Sequence, residues 1–333
     1  MKSANELDTK ALLTATRGVP IAVIGDVMLD KFVWGNVSRI SPEAPVPVVE
    51  IDRESFHLGG AANVARNLAS LGMRPLLLGV VGKDSAAREL RKKLRDRGIA
   101  EDAFIIDDDA RRTTVKTRII AGSQQVVRAD WESSDDLAGG VEARALDALA
   151  GLVREARAVV LSDYAKGTLT PNIIGRAIAL AKERSIPVLV DPKLRRYRMY
   201  RGVTLLTPNL IEAERFAGLV VQTEDDLEHT ASSIVKELGC EAVLITRGER
   251  GMSLFEAGGA PLHIPTLAHE VFDVSGAGDT VIATLAMAHA AGHTMEESAW
   301  LANYAAGVVV GKVGTATLTR TELESALASV PEE

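Results

Sequence analysis

Short, continuously apolar segments recur along this chain, and stretches of helical periodicity separate them. Residues 19–25 read as a buried first strand that ends at Asp26, and 76–81 as a second. Residues 158–162, 187–190, 204–207 and 242–246 are further runs of four to six residues. Helical patterns occupy 61–71, 85–97, 141–155, 171–184 and 224–238. Within 141–155, Leu146, Leu149 and Val153 recur at helical spacing and form a stripe to lay on a sheet. Strands apolar on both faces, alternating with helices, imply an α/β fold with a mostly parallel sheet covered on both sides. In such sheets ligands bind outside the carboxyl ends of the strands.

Two segments break this rhythm. Residues 31–56 and 113–131 have strand-like composition, yet no helix separates them from neighbouring strands. Pro42, Pro45 and Pro47 suit edge or irregular strands and not the middle of a sheet. Loops of this length are uncommon in compact domains, so the expectation is a small accessory β-sheet standing off the main body. Residues 1–18 read as a frayed tail or short surface helix, and 19–333 as one domain.

Composition narrows the classes of function. The 38 Lys and Arg against 45 Asp and Glu give a net charge of −7, so no global field attracts nucleic acid or an anionic membrane. The longest uncharged stretch, 280–295, contains two histidines and is too short to span a bilayer. One cysteine, Cys240, cannot form an internal disulfide, and no secretory-type apolar core precedes residue 18. A cytoplasmic location is expected.

The most informative stretch is Asp273-Val-Ser-Gly-Ala-Gly-Asp-Thr280, which runs straight into a helical pattern. Gly276 and Gly278 remove side chains where the helix begins, leaving backbone N–H groups and the helix dipole to favour an anion. Asp279 sits in the first turn, and two readings fit it. It can cap the helix, or it can act as a general base beside a phosphoryl group held by the glycine N–H groups.

Other nucleotide and catalytic motifs are missing. Gly307 to Lys312 is one residue short of a G-x-x-x-x-G-K-[ST] loop, and no G-x-G-x-x-G follows the first strand. None of the six histidines is paired at metal-ligand spacing, and there is no G-x-S-x-G elbow.

Gly59-Gly-Ala-Ala-Asn-Val-Ala-Arg-Asn67 through Gly72, together with the 273–280 stretch, resembles the two signatures of the ribokinase (PfkB) family of sugar kinases. The stretches 25–30, 38–48, 161–167, 206–210 and 305–312 are similar to the branch of that family that phosphorylates heptose 7-phosphates. The similarity spans 19–327 and keeps the motifs in order. It implies a ribokinase-like three-layer α/β/α fold with a small β-lid, formed by the two accessory segments. Some relatives carry a fused nucleotidyltransferase module. No H-x-G-H motif occurs before Glu333, so a stand-alone kinase is expected.

The resemblance also assigns roles. Asp279 matches the catalytic base, and Gly276, Ala277 and Gly278 the anion hole. The implied reaction moves the ATP γ-phosphoryl to the C1 hydroxyl of a heptose 7-phosphate. Asp26, Asp30, Gly59, Gly60 and Asn63 match the sugar-binding part. Lys116 and Arg118, two apart on a strand and so on one face, are candidates for the acceptor's phosphate, with Arg128 and Lys193 as further ones, while Gln124 is a candidate for the sugar. Asp191 and Lys193 would face the ATP phosphates. Asn209 and Glu212 form the family's N-x-x-E pattern, with Glu212 acting on Mg²⁺ through water. Thr246, Gly248 and Gly251 match the turn over the nucleotide, and Asn303, Ala306 and Gly307 the adenine and ribose wall. Asp273 and Ser275 are candidates for a monovalent-cation loop, with K⁺ as the ion; Ser275 stands where many members have Thr. Open strand edges on a lid favour a homodimer. Two alternatives stay open: another sugar or nucleoside kinase on this scaffold, and a non-catalytic sugar-phosphate sensor. A dehydrogenase fails for want of the dinucleotide glycines.

Overall fold

The structure, a computed structural model, describes residues 14–100, 104–267, 273–312 and 316–328; most of the expected N-terminal tail lies outside them. Strand β1 (Pro20–Gly25) sends Ile21 and Val23 into one apolar core and Ala22 and Ile24 into another, all fully buried. That double burial is why its sequence is continuous and not alternating. Strand β2 (Val27–Ile40) follows after one residue, and β3 (Pro47–Gly60) returns beside it. Next come α1 (Ala61–Ser70), β4 (Arg74–Gly82), α2 (Ser85–Arg95), β5 (Ile105–Asp108), β6 (Thr114–Ala121) and β7 (Gln124–Trp131). The chain continues through α3 (Gly139–Glu155), β8 (Ala158–Ser162), α4 (Pro171–Glu183), β9 (Val188–Asp191) and β10 (Leu205–Leu206). It closes with α5 (Leu210–Ala217), α6 (Glu224–Leu238), β11 (Ala242–Thr246), β12 (Met252–Glu256), β13 (Leu262–Ile264), α7 (Ala277–Ala290), α8 (Met295–Val310) and α9 (Arg320–Ala328).

Nine strands form one sheet in the order β13-β12-β11-β10-β9-β8-β1-β4-β5. Every neighbouring pair from β5 to β11 is parallel; β12 and β13 extend it as an antiparallel edge. Helices α1, α2, α7, α8 and α9 cover one face, and α3 to α6 the other, which makes three layers. The helix starts are written in the sequence. Thr170 accepts the Ile173 N–H at 3.2 Å ahead of Pro171, and Thr223 with Asp226 forms a capping box before α6.

The accessory segments form a four-stranded sheet in the order β3-β2-β6-β7. Strand β2 runs antiparallel to β3 and parallel to β6. This sheet begins at Val27 and ends its first hairpin at Gly60, so it is longer than the 31–56 expected from composition. Asp30 therefore lies within β2, and Gly59 and Gly60 finish β3, with Gly60 also the N-cap from which α1 starts. A polar residue at the mouth of a sheet gives no signal of a loop when the chain stays extended through it. The edge strands β5 and β13, of four and three residues, and the eight-residue helix α5 are too short for periodicity to register, and β12 carries no such signal either.

Candidate active site

The carboxyl ends of β1, β8, β9, β10 and β11 lie side by side, and polar residues end or follow them: Asp26, Asp163, Asp191, Asn209 and Thr246. Helix α7 arrives at this edge with its N-terminus. Gly276 is the N-cap, in the left-handed region at φ 82°, and no side chain caps the helix. A Cβ there would stand 2.7 Å from Asn63 Nδ2, whereas one on Gly278 would meet nothing within 4 Å. The helix end is thus open toward free space, in the geometry that favours an anion.

Asp279, in the first turn, is 3% exposed. Asn63 Nδ2 donates to its Oδ2 at 2.7 Å, and the Tyr164 hydroxyl donates to Oδ1 at 2.9 Å. Burial pushes its pKa up to about 6; the two hydrogen bonds and the Arg66 charge oppose the rise, and the Asp30 charge adds to it. The cap reading fails on this geometry, because both oxygens are engaged by side chains of other elements. Asn63 is itself fixed by the element that carries it. Its backbone oxygen accepts from Asn67 Nδ2 at 2.9 Å, and Asn67 Oδ1 accepts from the Thr280 hydroxyl at 3.0 Å, tying α1 to α7.

Asp26 has a different task from the sugar contact expected of it. It is 1% exposed, and its carboxylate accepts from the backbone N–H groups of Tyr164 (2.9 Å), Lys166 (2.9 Å) and Thr168 (3.0 Å). It holds the loop after β8 in place. Asp30 remains on the inner face of the small sheet, where Arg118 Nη1 donates to Oδ1 at 2.5 Å. A Cβ on Gly59 would lie 2.5 Å from Asp30 Oδ2, so the glycine makes room for that carboxylate.

Strand register puts Asp30 beside Lys116, and Lys116 opposite Asp130, with Arg118 opposite Arg128. These side chains share one face. Lys116 pairs with Asp130 at 3.6 Å and Glu132 at 4.0 Å, and Arg128 with Asp130 at 3.1 Å. Gln124 stands apart. Its register partner Ala121 pairs with Gly35, five β2 residues beyond Asp30, or about 17 Å along the strand. The expectation that Gln124 reaches the sugar is corrected by that placement: within one chain it lies at the far tip of the small sheet.

On the other side of Asp279, Asp191 ends β9, and burial pushes its pKa up to about 8; Lys193 lowers it, while Asp279 and Glu212 raise it further. Burial alone would lower the Lys193 pKa, but Asp191 and Glu212 hold it above the ordinary lysine value. Lys193 Nζ donates to Glu212 Oε1 and sits 5.6 Å from the Tyr164 ring centre. The Asn209–Glu212 pattern is a capping box on α5: Glu212 N–H donates to Asn209 Oδ1 at 2.9 Å, and Asn209 N–H to Glu212 Oε2 at 3.0 Å. Both oxygens of Glu212 are therefore already engaged by the protein.

Thr246 ends β11 and bridges to Asn209. Gly248 leaves open space around its Cα, whereas a Cβ on Gly251 would lie 2.1 Å from the Ile264 carbonyl oxygen, so that glycine serves strand packing. Asn303 donates to the Pro265 carbonyl at 2.8 Å and holds that backbone, with Ala306 and Gly307 further along α8. Ser275 N–H donates to Asp273 Oδ1 at 2.8 Å; the chain just before, 268–272, lies outside the described residues.

Three further residues at this edge escape sequence reading. Tyr164 and Lys166 sit in a loop whose only signal was family similarity, and Arg66 looks like any helix-surface arginine. Arg66 is 5% exposed; burial lowers its pKa to about 10, and Asp279 and Asp30 raise it. Lys166 pairs with Glu132 at 2.6 Å. Among the described residues no group of three or more His, Cys, Asp or Glu side chains forms a metal cage. A Mg²⁺ held by one or two carboxylates plus substrate phosphates needs no such cage, and the crowded carboxylates of Asp191 and Glu212 suit such an ion.

Comparison with known proteins shows the family and the fold. The pfkB family carbohydrate kinase pattern matches residues 20–322. The chain is 50% identical over 318 residues to the bifunctional protein HldE of Caulobacter sp. (strain K31), covering 95% of the chain and 64% of that protein. It is 46% identical over 301 residues to HldE of Citrifermentans bemidjiense, covering 90% and 62%. The chain thus spans less than two thirds of the length of these curated relatives. In fold it superposes on Arabidopsis thaliana ribokinase complexed with ribose and ATP, with TM-score 0.75, 22% identity, and 93% and 99% of the two chains covered. It also superposes on Escherichia coli phosphofructokinase-2 in complex with fructose-6-phosphate, with TM-score 0.75, 16% identity, and 94% and 98% covered. The chain belongs to the pfkB family of carbohydrate kinases, phosphotransferases with an alcohol group as acceptor.

Proposed function

We propose that this chain transfers the γ-phosphoryl group of ATP to the anomeric C1 hydroxyl of D-glycero-β-D-manno-heptose 7-phosphate, yielding the 1,7-bisphosphate. The step belongs to ADP-heptose synthesis for the lipopolysaccharide core. The observation that carries the kinase part is the buried Asp279 carboxylate, held on both oxygens beside an uncapped glycine helix end. The heptose part rests on the motif similarity and on the HldE relatives.

In this reading Asp279 accepts the C1 hydroxyl proton as that oxygen attacks the γ-phosphorus. The new O–P bond forms while the bond from the γ-phosphorus to the β,γ-bridging oxygen breaks, and ADP leaves with that oxygen. The N–H groups at 276–278 receive the equatorial phosphoryl oxygens, where charge gathers. Lys193, kept protonated by its acidic neighbours, faces the ATP phosphates. Mg²⁺, when bound near Asp191 and Glu212, neutralises phosphate charge. Asp273 and Ser275 remain the candidates for K⁺. Asp30, Gly59, Gly60 and Asn63 line the acceptor side, and Lys116, Arg118 and Arg128 meet its phosphate by exchanging their present carboxylate partners for it. Thr246, Gly248, Ala306 and Gly307 border the nucleotide. The small sheet closes over the acceptor as a lid and excludes water.

The lid also carries exposed apolar side chains, Val37, Ile51, Val126, Val127 and Trp131 among them, and these support pairing with a second copy of the chain. Among the described residues no helix is long and apolar enough to cross a membrane. The buried lone Cys240 fits the reducing cytoplasm proposed as its location.

ADP release from Mg-ATP, measured with heptose 7-phosphate beside fructose 6-phosphate, ribose and adenosine, tests the assignment. Strong turnover with the heptose phosphate alone is expected. Turnover with a different acceptor discards the heptose and keeps the kinase; binding of ATP with no turnover on any acceptor favours a sensor.

A further inference from the structure

The loop between β8 and α4 is built with more care than a connection needs. Three successive anchors on Asp26 fix the backbone at residues 164, 166 and 168. Asp163 Oδ1 accepts the Ala165 N–H at 2.7 Å, and its Oδ2 accepts the buried Tyr200 hydroxyl at 2.7 Å. Ala165 is one of two described non-glycine residues with positive φ, at 56°, a conformation that a non-glycine residue holds only when its surroundings impose it. All of this buttressing presents one side chain, Tyr164. Its ring edge lies against the Gly60 backbone, where a Cβ would come within 3.5 Å of Cδ2. Its face lies under Lys193, and its hydroxyl meets Asp279 Oδ1. The tyrosine therefore stands between the acceptor side of the site and the phosphate side, touching both.

We propose that Tyr164 is the positioning residue of the catalytic carboxylate: with Asn63 on Oδ2, its hydroxyl on Oδ1 fixes the rotation of Asp279 and so selects the lone pair left to take the acceptor's proton. A carboxylate with a single partner can swing about its Cβ–Cγ bond. One gripped on both oxygens, by α1 on one side and by the β8–α4 loop on the other, keeps one orientation. Burial holds the tyrosine's own pKa well above 10, so its O–H stays a donor throughout the working range. A donor on Oδ1 also favours the ionised carboxylate against its burial. Among the described residues, the other charged groups that act on Asp279 include Asp30 of β2 and Asp191 of β9, which disfavour its ionisation, and Arg66 of α1, which favours it. None of these touches Oδ1 as Tyr164 does. The inference rests on Asp279 being the base of the proposed kinase.

The test is Tyr164→Phe, which removes only the oxygen and leaves the ring against Gly60 and Lys193. Two readouts separate the inference from the reading beneath it. In the ligand-free protein the ¹³C carboxyl resonance of Asp279, assigned by its loss in Asp279→Asn, is titrated in wild type and in Tyr164→Phe. Loss of one hydrogen bond to a charged group should move its midpoint upward by about one pH unit. With ATP and the acceptor that wild type turns over, the ascending limb of kcat/KM should move upward by a similar amount. Part of the lost activity should return at high pH, while the KM for ATP stays within about threefold. An Asp279 midpoint and a limb that both stay where wild type has them overturn the proposal, whatever happens to kcat. If wild type turns over no acceptor, the kinase reading fails, and the resonance titration still decides whether Tyr164 governs Asp279.

Discussion

Asp279 shows how a single residue can be legible in sequence and still have its chemistry decided elsewhere. Its position after two glycines at a helix start could be read, but the readings of cap and base differ only in what touches the carboxylate. Those contacts come from Asn63 and Tyr164, which are 216 and 115 residues away. The same burial that suits it to the proposed role of base should cost stability. Its folded-state pKa of about 6 lies above the unfolded carboxylate value of about 3.9. Below about pH 4 the group is neutral in both states and costs nothing. As the pH rises through 6 the native carboxyl must ionise in a site that disfavours its charge, and stability is lost. Asp279→Asn removes that cost, and the Tyr164 hydroxyl can rotate to accept from the new amide. Urea unfolding should find the variant more stable than wild type at pH 8 by roughly 1–3 kcal/mol, with the gain shrinking as the pH falls towards 4. A gain of the same size at every pH would show that ionisation is not its source.

At the scale of elements, the sequence announced the long, strongly patterned ones. Segments such as Glu224–Leu238 and Ala158–Ser162 were placed to the residue, because capping signals and continuous apolar runs mark their ends. The edges of the small sheet lie four residues beyond the expected bounds at each end of its first hairpin, since the chain passes from the main sheet into the small one with only Asp26 between them. Asp26 itself was misread for a related reason. An aspartate at a strand mouth suits a ligand and a loop anchor equally well, and only the three N–H groups around it separate the two. Asp26→Asn should leave those N–H groups short of acceptors in a buried site, at about 1–3 kcal/mol of local stability. Hydrogen exchange should then quicken at Tyr164, Lys166 and Thr168 ahead of the rest of the chain. Uniform quickening across the fold would assign Asp26 a global role instead.

For the whole molecule, the three-layer architecture followed from strand burial, whereas the site emerges only where five strand ends, one helix terminus and the small sheet converge. No single window of sequence contains it. The exposed apolar side chains of that sheet suggest that the molecule is completed by a second copy. Replacing Ile51 and Val127 by aspartate should convert a dimer to a monomer in sedimentation equilibrium, and a wild type that sediments as a monomer would refute lid pairing. In the proposed mechanism one buried carboxylate drives phosphoryl transfer from ATP to a sugar hydroxyl. The most direct measurement is the turnover of Asp279→Asn beside wild type on the preferred acceptor, with ATP and sugar binding measured in parallel. The account predicts a fall in kcat of at least ~100-fold with both affinities retained. Near-normal turnover would remove Asp279 from the mechanism.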